Sequence, residues 1–134
     1  MEFIINCEKI DLDNSEIGVS VTFRAKDNFK IKDTETNVRK IIDSMGTYLL
    51  IQRCYGEDDD EGYYEADYVY LESNIEELCE EWGAFKMVMS REKLFLNDQI
   101  NTVEIHYKLD DKTFEELKEI LTIIDQDSEF IKFV

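Results

Sequence analysis

Apolar residues alternate with small or polar ones over residues 17–23, setting Ile17, Val19, Val21 and Phe23 on one side and Gly18, Ser20 and Thr22 on the other. A period of two marks a strand with one buried face, and residues 2–10 are its expected antiparallel partner. Further along, Val38, Ile41, Ile42 and Met45 recur at the spacing of one helical face, with Thr34 or Thr36 as the cap and Gly46 as the stop. Residues 47–55 and 63–71 are rich in strand formers and predict a hairpin around the loop Gly56 to Gly62.

Ser73 and Glu76 have the capping-box spacing, and Ile75, Leu78, Cys79 and Trp82 mark a second helical face before Gly83. The period of two then returns in Phe85, Met87 and Met89, in Leu94 and Leu96, and in Val103, Ile105, Tyr107 and Leu109. Three consecutive antiparallel strands account for it. Asp110 or Asp111 caps a last helix whose inward stripe is Phe114, Leu117, Ile120, Leu121 and Ile124, followed by a strand from Glu129 to Val134. Strands interrupted by about three short amphipathic helices, without regular βαβ spacing, predict one α+β domain over residues 1–134 with a largely antiparallel sheet.

Charge changes this picture more than any motif does. The chain carries 32 acidic and 15 basic residues, a net charge of -17. Residues 1–53 are nearly balanced, with nine acids and eight bases, and residues 86–134 have eleven and seven. Residues 54–85 hold twelve acids and no Lys or Arg: Glu57, Asp58, Asp59, Asp60, Glu61, Glu65, Asp67, Glu72, Glu76, Glu77, Glu80 and Glu81. Like charges at this density oppose compaction and steer a basic partner toward the surface that bears them. Tyr55, Tyr63, Tyr64, Tyr68, Tyr70 and Trp82 interleave with the acids, and such side chains anchor interfaces by pairing large apolar area with a polar tip. On one strand face the carboxylates of Glu65 and Asp67 stand roughly 6.6 Å apart, comparable to successive phosphates of a nucleic-acid strand. The bland alternative is a solvated hairpin tip that keeps the protein soluble.

The expected partner surface comprises Glu57, Asp58, Asp59, Asp60, Glu61, Tyr63, Tyr64, Glu65, Asp67, Tyr68, Glu76, Glu77, Glu80 and Glu81. The expected partner is a basic protein, such as a nuclease toxin or a DNA-binding protein. In size, acidity and α+β pattern the chain is similar in type to the immunity proteins of bacterial toxin systems, although no residue motif carries the likeness. A nucleic-acid mimic of phage origin is an alternative within the binding class. A small-ligand domain or motif-free enzyme is another, with a pocket between the sheet and the final helix that includes His106 and Tyr107.

Other chemistry finds little to rest on. The sequence lacks the glycine-rich phosphate loops, the nucleophile elbow and the paired-histidine zinc motif, so no catalytic residue, cofactor or metal is expected. Glu57, Asp59, Glu61, Gly62 and Tyr63 fit the first positions of a calcium-loop frame, but Tyr68 stands where the bidentate Glu belongs, leaving at most a weak divalent site. His106 alternates with inward residues and reads as an exposed strand histidine. Cys7, Cys54 and Cys79 are odd in number and widely spaced, as reduced core cysteines are, and the acids around Cys79 disfavour a thiolate. Direct nucleic-acid binding is disfavoured by the charge balance. No membrane helix is expected, and the N-terminus lacks a signal-peptide pattern, which predicts a cytoplasmic protein.

Overall fold

The computed structural model describes residues 2–16, 18–27, 30–54, 68–75, 86–97, 101–125 and 131–134. Within them lie β1 (Glu2–Asn6), β2 (Lys9–Asn14), β3 (Gly18–Arg24), α1 (Val38–Ser44), β4 (Tyr48–Cys54), β5 (Tyr68–Ser73), β6 (Lys86–Met89), β7 (Lys93–Asn97), β8 (Thr102–His106), α2 (Asp111–Ile124) and β9 (Ile131–Phe133). The class is α+β, and the strands form two sheets, ordered β1-β8-β7-β6-β9 and β2-β3-β4-β5. The second sheet is an antiparallel meander. In the first, β6, β7 and β8 run antiparallel as expected, whereas β1 joins β8 and β9 joins β6 in parallel. The first sheet is therefore mixed, and the expectation of a largely antiparallel sheet is met only in part. The described residues contain two helices, and the expected helix through Leu78, Cys79 and Trp82 lies outside them.

The pairing expected between residues 2–10 and 17–23 is also corrected. Only β2 pairs with β3, while β1 belongs to the other sheet. The switch takes one peptide unit: the Cys7 N–H donates to the His106 carbonyl of the first sheet and the Glu8 N–H to the Arg24 carbonyl of the second, both at 2.8 Å. Each sheet thereby keeps its backbone groups satisfied across the crossing.

One apolar core joins the inner faces of both sheets to α2. Val19, Val21, Phe23, Leu49 and Ile51 come from the second sheet, Ile5, Met87, Met89, Leu94, Leu96, Val103 and Ile105 from the first, and Leu117, Ile120, Leu121 and Ile124 from the helix. The α2 stripe lies where its spacing of three and four residues puts it, against β3 and β2. Phe23 and Tyr107 stack with ring centroids 6.4 Å apart, linking the sheets. At the far end of α2 the Arg53 Nη1 donates to the Ile124 carbonyl at 2.8 Å, where the helix dipole favours a cation.

The stripe expected to bury α1 does not enter the core. Val38 and Ile42 are exposed, Ile41 and Met45 only half-buried, and Ser44 is the helix's sole buried residue. Its cap is Asn37, whose Oδ1 accepts from the N–H groups of Arg39 and Lys40, rather than Thr34 or Thr36. Gly46 follows the C-cap Met45 and serves a close backbone approach: a Cβ built there would overlap the Lys26 carbonyl oxygen.

At the start of α2 the Asp110 Oδ1 accepts from the Thr113 N–H at 2.7 Å. Hydrogen bonding to Thr113 holds its carboxyl below the ordinary carboxylate range. A depressed folded-state pKa contributes stability above the unfolded value and loses it as pH falls through the folded one. Asn at this position keeps the capping oxygen and drops the charge. The Tm gap between the wild type and Asp110→Asn is therefore expected to be widest at neutral pH and to close on acidification below the ordinary carboxylate range. A gap independent of pH in thermal scans would sink this assignment.

Candidate functional site

Two places on the molecule bear on function. The first is the acidic segment, whose described residues 68–75 include β5 of the second sheet. Cys54 of β4 pairs with Tyr68 of β5, so the described residues on either side of 55–67 stand directly opposite each other. The antiparallel pairing of β4 with β5 agrees with the expected hairpin, whose loop lies outside the described residues. Glu57, Asp58, Asp59, Asp60, Glu61, Tyr63, Tyr64, Glu65 and Asp67 lie outside the described residues, as do Glu76, Glu77, Glu80, Glu81, Tyr55, Cys79 and Trp82. Tyr68 is placed by its strand pairing alone.

Among the described residues β5 is the last strand of its sheet, and stretches of the acidic segment adjoin it in sequence at both ends. Two members of the segment stand together on its outer face: Tyr70 and Glu72 are exposed, and the Tyr70 hydroxyl donates to Glu72 Oε1 at 3.1 Å. The other end of β5 is tied to β4 through Ser73, buried on the inner face, whose hydroxyl donates to the Tyr48 carbonyl at 2.6 Å and accepts from the Ile75 N–H at 3.1 Å. The capping box expected of Ser73 would have it accept from the Glu76 N–H, and Glu76 and the rest of the expected helix beyond Ile75 fall outside the described residues. Asn74 adds a clamp, accepting from the Tyr48 N–H and donating to the Gly46 carbonyl. The strand that carries the exposed tyrosine–carboxylate pair is thus held firmly at one end by side-chain bonds.

The second place is a pocket of about 570 Å³ lined by Asn6, Cys7, Glu8, Glu92, His106, Tyr107 and Lys108. β1 and β8 are parallel and end side by side, after which one chain crosses to the second sheet and the other proceeds to α2. Divergence of two chains beyond the carboxyl ends of parallel strands opens a crevice for the reason it does in open α/β sheets. The pocket therefore lies at the strand ends. His106 and Tyr107 belong to it as anticipated. Asn6, Cys7, Glu8, Glu92 and Lys108 escape sequence reading because three separated segments supply the wall.

Its reactive groups are occupied. The Tyr107 hydroxyl donates to the Ser90 carbonyl at 2.7 Å, and burial pushes the phenol above its ordinary range. The Cys7 thiol donates to the Lys9 carbonyl at 3.2 Å and is raised by burial, so it is held as the protonated, weakly nucleophilic form. His106 Nε2 lies 3.1 Å from Glu104 Oε2, and this hydrogen bond, with the Lys93 charge, holds the Glu104 carboxyl below its ordinary range. What remains for a guest is a mixed-charge rim of Glu8, Glu92 and Lys108, suited to hydrogen bonding a small polar molecule.

Cys7 and Cys54 are free and half-buried, which corrects the expectation of core cysteines, though Cys7 does pack against the core. Among the described residues no group of three or more His, Cys, Asp or Glu is placed to hold a metal ion, and the calcium-loop frame lies outside them. Among the described residues no helix is long and apolar enough to cross a membrane. No family model matches the chain, and no curated protein matches it in sequence.

Proposed function

We propose that the protein is a binding module that neutralises a basic protein partner, with the acidic, tyrosine-rich segment as its contact surface. The carrying observation is the one-sided charge of residues 54–85, twelve acids with no Lys or Arg. The exposed Tyr70–Glu72 pair supports this reading, since it pairs an interface-type aromatic with a carboxylate on the outermost of the described strands of its sheet. An enzyme that cuts nucleic acid has a positive cleft, and a carboxylate surface is suited to occupying it after electrostatically steered encounter. A nuclease toxin is accordingly the preferred partner class, and the protein would act as an immunity or antitoxin protein does.

The test compares the wild type with a variant carrying Asp58→Asn, Asp59→Asn and Asp60→Asn. Captured on each from a bacterial lysate, a basic protein is expected to bind the variant about tenfold more weakly, equivalent to about 1.4 kcal/mol. Thermal stability should be unchanged or slightly raised, because three mutually repelling charges are removed. Added salt should weaken the wild-type complex, since exposed charges are screened beyond about 8 Å at physiological ionic strength. A variant that gains stability and binds as before would reduce the acidic tip to a solubility feature. Competition by DNA for the captured protein would divide a toxin inhibitor from a nucleic-acid mimic.

A further inference from the structure

The described sheets end in four edge strands, β1 and β9 in the first and β2 and β5 in the second. Exposed edges invite pairing with other chains unless charge, shortness or irregularity guards them. β2 carries Lys9, Asp11 and Asp13, with Asp11 bridged to Arg24 at 2.8 Å. β5 bears Glu72 and adjoins the acidic stretches, and β9 is three residues long with Lys132 at its centre. β1 is the least guarded: its one charge, Glu2, stands at its first residue, its central residues are Phe3, Ile4 and Ile5, and Ile4 is 65% exposed.

The hydrogen-bond phase of β1 decides what its edge can accept. The Cys7 N–H donates to the His106 carbonyl, so by the alternation of a parallel ladder Phe3, Ile5 and Cys7 bond toward β8. Glu2, Ile4 and Asn6 therefore turn their N–H and C=O groups to the edge where no described strand lies. An antiparallel copy of the same strand, centred on Ile4, sets Ile4 opposite Ile4 and Glu2 opposite Asn6. All three outward-facing residues then meet outward-facing residues, no like charges are opposed, and two-fold symmetry closes the contact. On the outer face the new Ile4 pair would extend a row that already runs through Glu104, Phe95, Val88 and Lys132. Val88 is also exposed, so the row offers apolar surface on both sides of Glu104.

We propose that β1 pairs antiparallel with β1 of a second copy of this chain about a two-fold axis at Ile4, fusing two first sheets into one continuous sheet. The contact is independent of the acidic segment and responds oppositely to salt: screening eases repulsion between two chains of charge -17, whereas it weakens a complex with a basic partner.

Sedimentation velocity over a concentration series is the test. The wild type is expected at twice the chain mass at high concentration, with added salt favouring the dimer. Ile4→Lys should sediment at the chain mass, and Val88→Lys, a charge at another exposed position of the same face, should behave as wild type. Circular dichroism and thermal melting establish that both variants fold. Register is tested by Ile4→Cys and Glu2→Cys under oxidation. Opposed Ile4 positions lie about 5.5 Å apart, within disulfide reach, while the two Glu2 positions are about 15 Å apart. Ile4→Cys should form a covalent dimer well above the background set by the wild-type cysteines, and Glu2→Cys should not. A wild type at the chain mass throughout, or equal cross-linking by both variants, overturns the proposal. A monomeric wild type whose capture of a basic protein is lost in Ile4→Lys would also overturn it, assigning the edge to a foreign strand.

Discussion

Phe23→Ala is expected to destabilise the protein by about 3–5 kcal/mol, lowering Tm by about 10–20 °C. The ring is fully buried on β3, stacks with Tyr107 at the end of β8, and sits in the sheet against which α2 packs. Truncation removes apolar burial and leaves a void bounded by elements of both sheets, which cannot all collapse into it. Since domains of this size are stabilised by about 5–15 kcal/mol, the loss is a large fraction of the whole. Ile42→Ala is the matched control. It belongs to an apolar stripe just as regular in sequence, yet Ile42 is about half exposed, and a change within about 0.5 kcal/mol is expected. Urea denaturation of both variants measures the contrast, and similar losses would mean that α1 contributes to the core after all.

Gly46→Ala is expected to cost about 1–3 kcal/mol even though it adds a single methyl group. Gly46 is buried in the connection between α1 and β4, and the added carbon would overlap a backbone atom, the Lys26 carbonyl oxygen, with a further approach to the Ala25 carbonyl. Side chains can rotate away from an intruder, but the backbone around these carbonyls is tied on both sides. The Ala25 N–H donates to the Thr47 carbonyl at 2.8 Å, and Asn74 bonds the Gly46 carbonyl and the Tyr48 N–H. Relief would require separating β3 from β4 at their junction. Thermal melting of the variant checks this, and a Tm equal to wild type would show that the connection yields freely.

The elements that were legible in sequence are those whose neighbours are dictated locally. Val19, Val21 and Phe23 are buried as their period of two demands, as are Met87, Met89, Leu94, Leu96, Val103 and Ile105, and each of these strands pairs with a neighbour in sequence. The α2 stripe and its Asp110 cap follow from helical geometry within one segment. α1 shows the boundary of that logic: periodicity identifies an apolar face without naming anything to cover it. The acidic segment was legible as charge, and the antiparallel pairing of β4 with β5 agrees with the expected hairpin. The pocket was legible only through His106 and Tyr107, because a wall drawn from residues 6–8, 92 and 106–108 leaves no local pattern.

By itself the sequence determined the α+β class, the inward face of most strands, the last helix and the one-sided charge of residues 54–85. These depend on alternation, spacing and composition, which are properties of neighbouring residues. Tertiary structure alone decided that β1 and β2 belong to different sheets, that β1 lies parallel to β8, that α1 stays at the surface, and that a pocket opens where β1 and β8 part. Each of those outcomes sets residues far apart in the chain against one another. Such choices are made by competition among whole-chain packings for the same buried apolar area, and no local pattern records which packing wins.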